Sequence, residues 1–304
     1  IRYWTSMGSL GDDYPFEFTW INLQNEQPVS KDFILKEIQN LSEDKFNKKY
    51  KRRYEQLIGA SRLITKIWNA YRFLYLNLEK IELFDLTYNP NDLSTIDHYY
   101  FSEFNKNLEI ITNHFEGYNW HEAVMNLRGF FWNDLCDNYI EVIKYKFYSE
   151  DESTRKVSLK NALILFYNTL KLFSVIMPFI TEEIYHNLYK RFKNLKSIHL
   201  ETWAEPFSNL DENLNVNGRL GIEIIKNIRN IKSKLQIPLN QDIPKMIILS
   251  DNIKYLESLK PDISNTLRIN ELIILHKDKS KNIKKEPDLR EDYKELGVSI
   301  LFFK

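Results

Sequence analysis

Cysteine is almost missing from this chain: one residue, Cys136, stands among 304. A single thiol closes no internal disulfide, and without a CxxC pair there is no thiolate zinc site. Such a composition points to a reducing, cytoplasmic setting. Glycine and proline are sparse as well, at 8 and 9 residues, too few for a β-sandwich with its many tight turns, and they favour long helices with few connections. Formal net charge is zero, with 42 basic and 42 acidic residues. The broad basic field of a dedicated nucleic-acid binder is absent, so any RNA contact has to come from local patches. No run of about 18 uncharged apolar residues occurs and no charged-then-apolar leader opens the chain, which makes membrane and export readings weak.

Catalytic signatures are missing too. Histidines stand at positions 98, 114, 121, 186, 199 and 276, and no two have the i, i+4 spacing of a helical metal site. Asp12-Asp13 and Glu182-Glu183 are adjacent carboxylates, but sequence neighbours point in different directions and do not form an acid–base pair. A turn accounts for the first and a helix start for the second. There is no glycine-rich phosphate loop, no GxSxG elbow and no Cys/His nucleophile arrangement. We therefore expect no catalytic residue, metal or cofactor in this chain, and a packed rather than reactive Cys136.

What is present is a hydrophobic content of 43% and strong helical periodicity. A long helix is expected over 52–79, with Leu57, Ala60, Ile64, Ile67, Tyr71, Leu74 and Leu78 on one apolar face. A second should start near Thr95 or Asp97 and end at Gly117, and a third should run over 119–148 on Trp120, Val124, Leu127, Phe131 and Leu135. A fourth starts near Ser158 and meets Pro178, which should break or kink it, and a fifth follows with Thr181 near its start. Helices of this length with short loops make an antiparallel bundle. The extended run near 198–206 marks a boundary, after which a helix over 217–235 and apolar runs at 246–249, 272–275 and 298–303, with a helix near 251–260, suggest a small α/β unit. The division is 1–51, 52–205 and 206–304.

The stretch 62–73, RLITKIWNAYRF, is the most informative. At helical period, Arg62, Lys66, Asn69 and Phe73 stack on the side away from the apolar face, with Arg72 on their flank. An aromatic among Arg, Lys and Asn offers an unstacked base a flat surface, its edge hydrogen-bonding partners, and its phosphate a cation. The plainer alternative is that Phe73 packs against a neighbouring helix. Just upstream, Lys45, Lys48, Lys49, Lys51, Arg52 and Arg53 crowd into nine positions, either as a solvated face or as phosphate contacts. Lys277, Lys279, Lys281, Lys284 and Lys285 form a second basic cluster open to the same two readings. A helical protein-interaction module is the reading from a different class that neutral net charge supports.

Five blocks, RYWTSMGSLGDD (2–13), KIWNAYRF (66–73), FFWNDLCDNYIE (130–141), MPFITEEIY (177–185) and SIHLETWAEP (197–206), occur in the order found in valyl-tRNA synthetases. Over roughly the first 205 residues the chain resembles the anticodon-binding half of these class Ia enzymes. Isoleucyl and leucyl relatives share the bundle, but the Trp-Asn-Ala and Trp-Asn-Asp-Leu-Cys-Asp runs look more like the valyl member. The resemblance implies that residues 1 to about 20 finish the stem-contact region and that the bundle reads the anticodon of tRNA-Val. Phe73 would then stack on a base, Lys66 and Arg72 would engage phosphate or a base edge, and Asn69 would bond an edge. HIGH and KMSKS are absent, so ATP, magnesium and valine chemistry would belong to a larger protein of which this chain is the monomeric, cytoplasmic tRNA-binding part. The run without an initiator Met at Ile1 fits that expectation. Two departures stand out: the charged insert over 21–51 is longer than the corresponding link in those members, and the α/β ending resembles the archaeal type.

Overall fold

The computed structural model describes residues 18–53, 55–82, 84–282 and 286–303, with backbone alone at 55–57 and 281–282. The opening block at 2–13, the Asp12-Asp13 turn, Lys284 and Lys285, and the side chain of Leu57, lie outside the described residues. Residues 19–53, which take in the charged insert expected over 21–51, form a small unit. β1 (Thr19–Asn22) pairs antiparallel with β2 (Pro28–Val29) and β3 (Tyr50–Arg53), giving the order β2-β1-β3. α1 (Lys31–Asn40), capped by Ser30, and α2 (Glu43–Lys49) lie between β2 and β3. The unit has a core of its own on Ile34, Phe46 and Tyr50, with the Trp20 ring edge-on to Phe46 at 5.2 Å.

α3 (Glu55–Leu78) is the expected long helix. It starts later than periodicity suggests because Arg52 and Arg53 pair with β1 instead. Leu63, Ile67, Ala70, Tyr71, Leu74 and Leu78 are buried, whereas Ile64 is 44% exposed. The buried arc is therefore turned roughly 40° from the expected one. As a result Lys66 and Phe73 lie at its edge rather than on the far side. α4 (Thr95–Glu116) is capped by Ser94, not by Thr95 or Asp97: Ser94 Oγ accepts from the Asp97 N–H while the Asp97 carboxylate accepts from the Ser94 N–H. Buried Asp97 also accepts from Tyr139 Oη at 2.6 Å and Asn161 Nδ2 at 3.2 Å, which ties three helical segments together.

The expected single helix over 119–148 is split. α5 (Trp120–Gly129) runs into wide π-helical turns over Phe130–Ile140, then a short α turn and a 3-10 turn at Lys144–Tyr148. Leu127, Phe131, Leu135 and Tyr139, all fully buried, recur every four residues. Turns of 3.6 residues would drift away from that spacing, and wider turns keep it facing inward. α6 (Glu152–Ser174) begins ahead of Ser158 because the Asp151 carboxylate accepts from the Ser153 and Thr154 N–H groups. Of the expected break or kink it is the break that occurs: α6 ends at Ser174, and Pro178 is the first residue of α7 (Pro178–Ile184), where its missing N–H does no harm. Glu182 and Glu183 therefore fall beyond the first turn, and Glu182 accepts from Ser197 Oγ and the Ile198 N–H.

The chain crosses the expected boundary in contact with the bundle. Trp203 Nε1 donates to Thr112 Oγ1 at 2.9 Å, and the Phe207 ring lies 4.5 Å from that of Phe101. α8 (Glu212–Lys234) packs on α4 so closely that a Cβ at Gly218 would sit 2.5 Å from the Thr95 carbonyl oxygen. Its other side meets α9 (Ile253–Leu267), and one buried core runs from Leu63 to Phe302. β4 (Ile243–Ser250), β5 (Ile269–Leu275), β6 (Leu289–Tyr293) and β7 (Val298–Phe303) form a sheet ordered β5-β4-β7-β6. β4 and β5 are parallel, joined through α9, and β7 runs antiparallel to β4 and β6. Buried Lys232 donates to the carbonyls of Leu239, Gln241 and Leu267, closing the turn into β4. The architecture is mainly α, a helical bundle followed by a small α/β unit.

Candidate nucleic-acid interface

The flank of α3 meets the π-helical segment across a cavity of about 230 Å³. Lys66, Asn69, Ala70 and Phe73 line it from α3, and Cys136, Ile140 and Glu141 line it from the opposite wall. Residues at i, i+3 and i+7 share one side of a helix, which is why Lys66, Asn69 and Phe73 arrive together. Phe73 is half-buried, with its ring 5.7 Å from Phe147 and tilted 41° to it. One part of the ring belongs to the core and another to the cavity. Lys66 is held in place: Nζ donates to Asp137 at 2.6 Å and lies 5.4 Å from the Trp132 ring. The Asn69 side chain is exposed and, among the described residues, makes no hydrogen bond. Burial pushes the Cys136 thiol up to about 12, which makes it an uncharged wall group and a poor nucleophile.

Asp137 and Glu141 were missed in the sequence. They sit on the polar side of the block 130–141, read there only for its apolar stripe; Glu141 lines the cavity, and Asp137, outside its lining, holds Lys66. Glu141 pairs with Lys144, outside the cavity lining. A phosphate would meet these carboxylates at close range, whereas a base edge with donors would be accepted. Arg62 is exposed on the same side of α3, one turn earlier. Arg72 is exposed but lies apart from the cavity, on the face that carries Trp68. That indole, 36% exposed and 4.9 Å from the Tyr71 ring, is a further aromatic that the sequence reading passed over. It stood in the quoted 66–73 block, and only its position on the outer face sets it apart.

The upstream basic residues divide in the same way. Lys48 and Lys49 are exposed in the last turn of α2. Lys51, Arg52 and Arg53 lie on β3 and line a second cavity, of about 430 Å³, together with Ile58 and Ser61 of α3. The Arg52 guanidinium sits 4.9 Å from the Phe18 ring and 5.2 Å from that of Trp20. Lys277 of the second basic cluster is paired with Asp251 at 2.7 Å. Among the described residues no helix is long and apolar enough to cross a membrane.

Residues 97–247 match the family described as the anticodon-binding domain of tRNA ligase. The valine–tRNA ligase of Thermococcus kodakarensis is 29% identical over 294 residues, which cover 96% of this chain and 28% of the relative. That of Pyrococcus horikoshii is 28% identical, with 98% of this chain and 29% of the relative covered. The valine–tRNA ligase of Methanosarcina acetivorans is 32% identical over 207 residues, covering 66% and 23%. The chain thus spans less than a third of the length of these curated relatives. The family match covers the bundle from α4 through α8 and on into β4, and the first two of these relatives align over nearly the whole chain; this chain belongs to the anticodon-binding region of the valyl-tRNA synthetases.

Proposed function

We propose that this chain supplies tRNA recognition to a valine–tRNA ligase, and that the cavity between α3 and the π-helical segment receives a base of the tRNA-Val anticodon. The observation that carries this reading is the convergence of Lys66, Asn69 and Phe73 on one cavity with Glu141 opposite. A splayed base entering it meets the Phe73 ring, the Asn69 amide as donor and acceptor, and the Glu141 carboxylate as acceptor. Glu141 in the lining repels phosphate from the interior, so the backbone stays outside, within reach of Arg62. Arg72 and Trp68 then serve a neighbouring nucleotide on the outer face of α3.

Attachment of valine, with ATP and magnesium, is the work of the whole ligase, and this chain alone is expected to be inactive in it. A monomer in the cytoplasm completes the reading. The test is binding of tRNA-Val transcripts by fluorescence anisotropy at physiological salt, with the native anticodon and with substituted ones. The native anticodon should bind more tightly, by about 1–3 kcal/mol per base read; equal affinities would sink the reading. Competition with tRNA-Ile and tRNA-Leu separates the valyl assignment from its isoleucyl and leucyl alternatives. A protein-interaction module would show little RNA affinity and no steep dependence on salt.

A further inference from the structure

Resting on the proposal that the chain binds tRNA, we propose that the inserted unit of residues 19–53 is a second RNA site that grips the sugar–phosphate backbone next to the base-reading cavity without reading sequence. Three observations carry it. First, the unit concentrates charge in a chain whose net charge is zero: positions 45–53 hold six basic residues and no acidic one. Second, those cations differ in their surroundings from several lysines of the bundle. Lys66 is paired with Asp137, Lys106 with Glu103, Lys146 with Asp262 and Lys160 with Asp92. Among the described residues Lys48, Lys49, Lys51 and Arg52 make no ion pair. Third, the fold gives them a shape. Antiparallel pairing sets Arg52 opposite Trp20, and its guanidinium lies over two aromatic rings. Contact with the rings holds the guanidinium in place, and its fork of donors can then give two parallel hydrogen bonds to a phosphate.

Position links the unit to the base-reading cavity. Lys51 and Arg52 line the 430 Å³ cavity together with Ser61 of α3, and Asn69 follows Ser61 on the same helix by about 12 Å of axial rise. One strand can therefore lie along α3, held at the sheet and read at Asn69 and Phe73. The unit carries nothing that would discriminate bases, because ring stacking and phosphate contacts are indifferent to sequence.

The test compares the full chain with its Lys51→Gln/Arg52→Gln variant, and separately with Lys48→Gln/Lys49→Gln, for which both replaced side chains are exposed on α2. Affinity for tRNA-Val transcripts with native and substituted anticodons is measured from 50 to 300 mM salt, roughly the range over which phosphate contacts show. Circular dichroism melting confirms that each variant is folded. The expected result is a roughly tenfold loss of affinity, equal for both transcripts, and a log–log salt slope shallower by about 1.4 when two single-strand phosphate contacts are removed. Wild-type affinity and slope in both variants would overturn the proposal, and would leave the unit's exposed apolar residues to a protein partner instead. Loss of affinity confined to the native anticodon would also overturn it, by making these residues base readers. Failure of the anticodon reading looks different: the two transcripts would bind the unaltered chain equally while these variants still weakened both.

Discussion

The cavity on the α3 flank and the basic sheet at its start both present cations to solvent, yet they are built in opposite ways. At the cavity Lys66 is engaged by Asp137, and Glu141 lines the opposite wall. At the sheet Arg52 lies over two rings and, among the described residues, neither it nor Lys51 makes an ion pair, with Glu26 the one carboxylate among the described lining of a cavity nearly twice as large. Compensated charge in a shaped site makes poor glue for phosphate but a good reader of donor and acceptor pattern. Charge without a close carboxylate does the reverse. The difference teaches that net charge, zero for this chain, says little about RNA contact until one knows which cations are already paired.

The largest expected effect comes from breaking the wall of the cavity. Asp97→Ala leaves buried Tyr139 Oη without its acceptor and removes one of the partners of Asn161, at about 2–4 kcal/mol of stability. Because Tyr139 belongs to the segment that carries Cys136 and Glu141, anticodon discrimination should fall in urea-free binding assays while the salt slope stays as it was. A change in slope without a change in discrimination would dissolve the contrast between the two sites.

Phe73→Ala is next. Loss of a stacking surface should weaken tRNA binding by roughly 1–3 kcal/mol, and loss of the contact with Phe147 should lower the melting temperature as well. If only the melting temperature moves and discrimination is intact, Phe73 is core and the cavity reads bases without it.

The smallest effect concerns pH. Burial holds the His98 imidazole below its usual range, against the opposing pull of Asp211 and Asp97. Its Nδ1 accepts from the Asp211 N–H at 3.2 Å, joining α4 to the cap of α8. A group that is neutral in the folded chain and protonates more readily in the unfolded one favours unfolding as pH falls, so stability should decline below about 6.5. Urea melts at pH 7.5 and 5.5 should show the decline, and His98→Asn should flatten it. The base-reading wall depends on this bundle packing, so discrimination should fade in acid sooner than the backbone grip.

Much of the scaffold was legible in the sequence. The apolar runs at 246–249, 272–275 and 298–303 all became strands, and α3, α4 and α8 came from their periodicity. The unit at 19–53 was not, because strands of two to four residues are too short to show alternation. β6 was hidden by its charged LREDY sequence, which suits an edge strand but lacks the β-branched signal of a buried one. The π-helical turns were hidden because a four-residue repeat reads as an ordinary helix over a short window. At the site, spacing found Lys66, Asn69 and Phe73 but grouped Arg72 with them. It could not find Asp137, whose partner lies 71 residues away in the chain. Local period carries one face of one helix; the opposite wall is a tertiary fact.

The most direct measurement sets Asn69→Ala beside Lys51→Gln/Arg52→Gln and reads two numbers for each: the affinity ratio between native and substituted anticodons, and the salt slope. Asn69 is exposed and unbonded among the described residues, so its loss should leave folding and slope alone and cut the ratio by roughly tenfold. The double variant should keep the ratio and lower the slope. An unchanged ratio in Asn69→Ala would contradict the base-reading cavity, and with it the division of labour along α3.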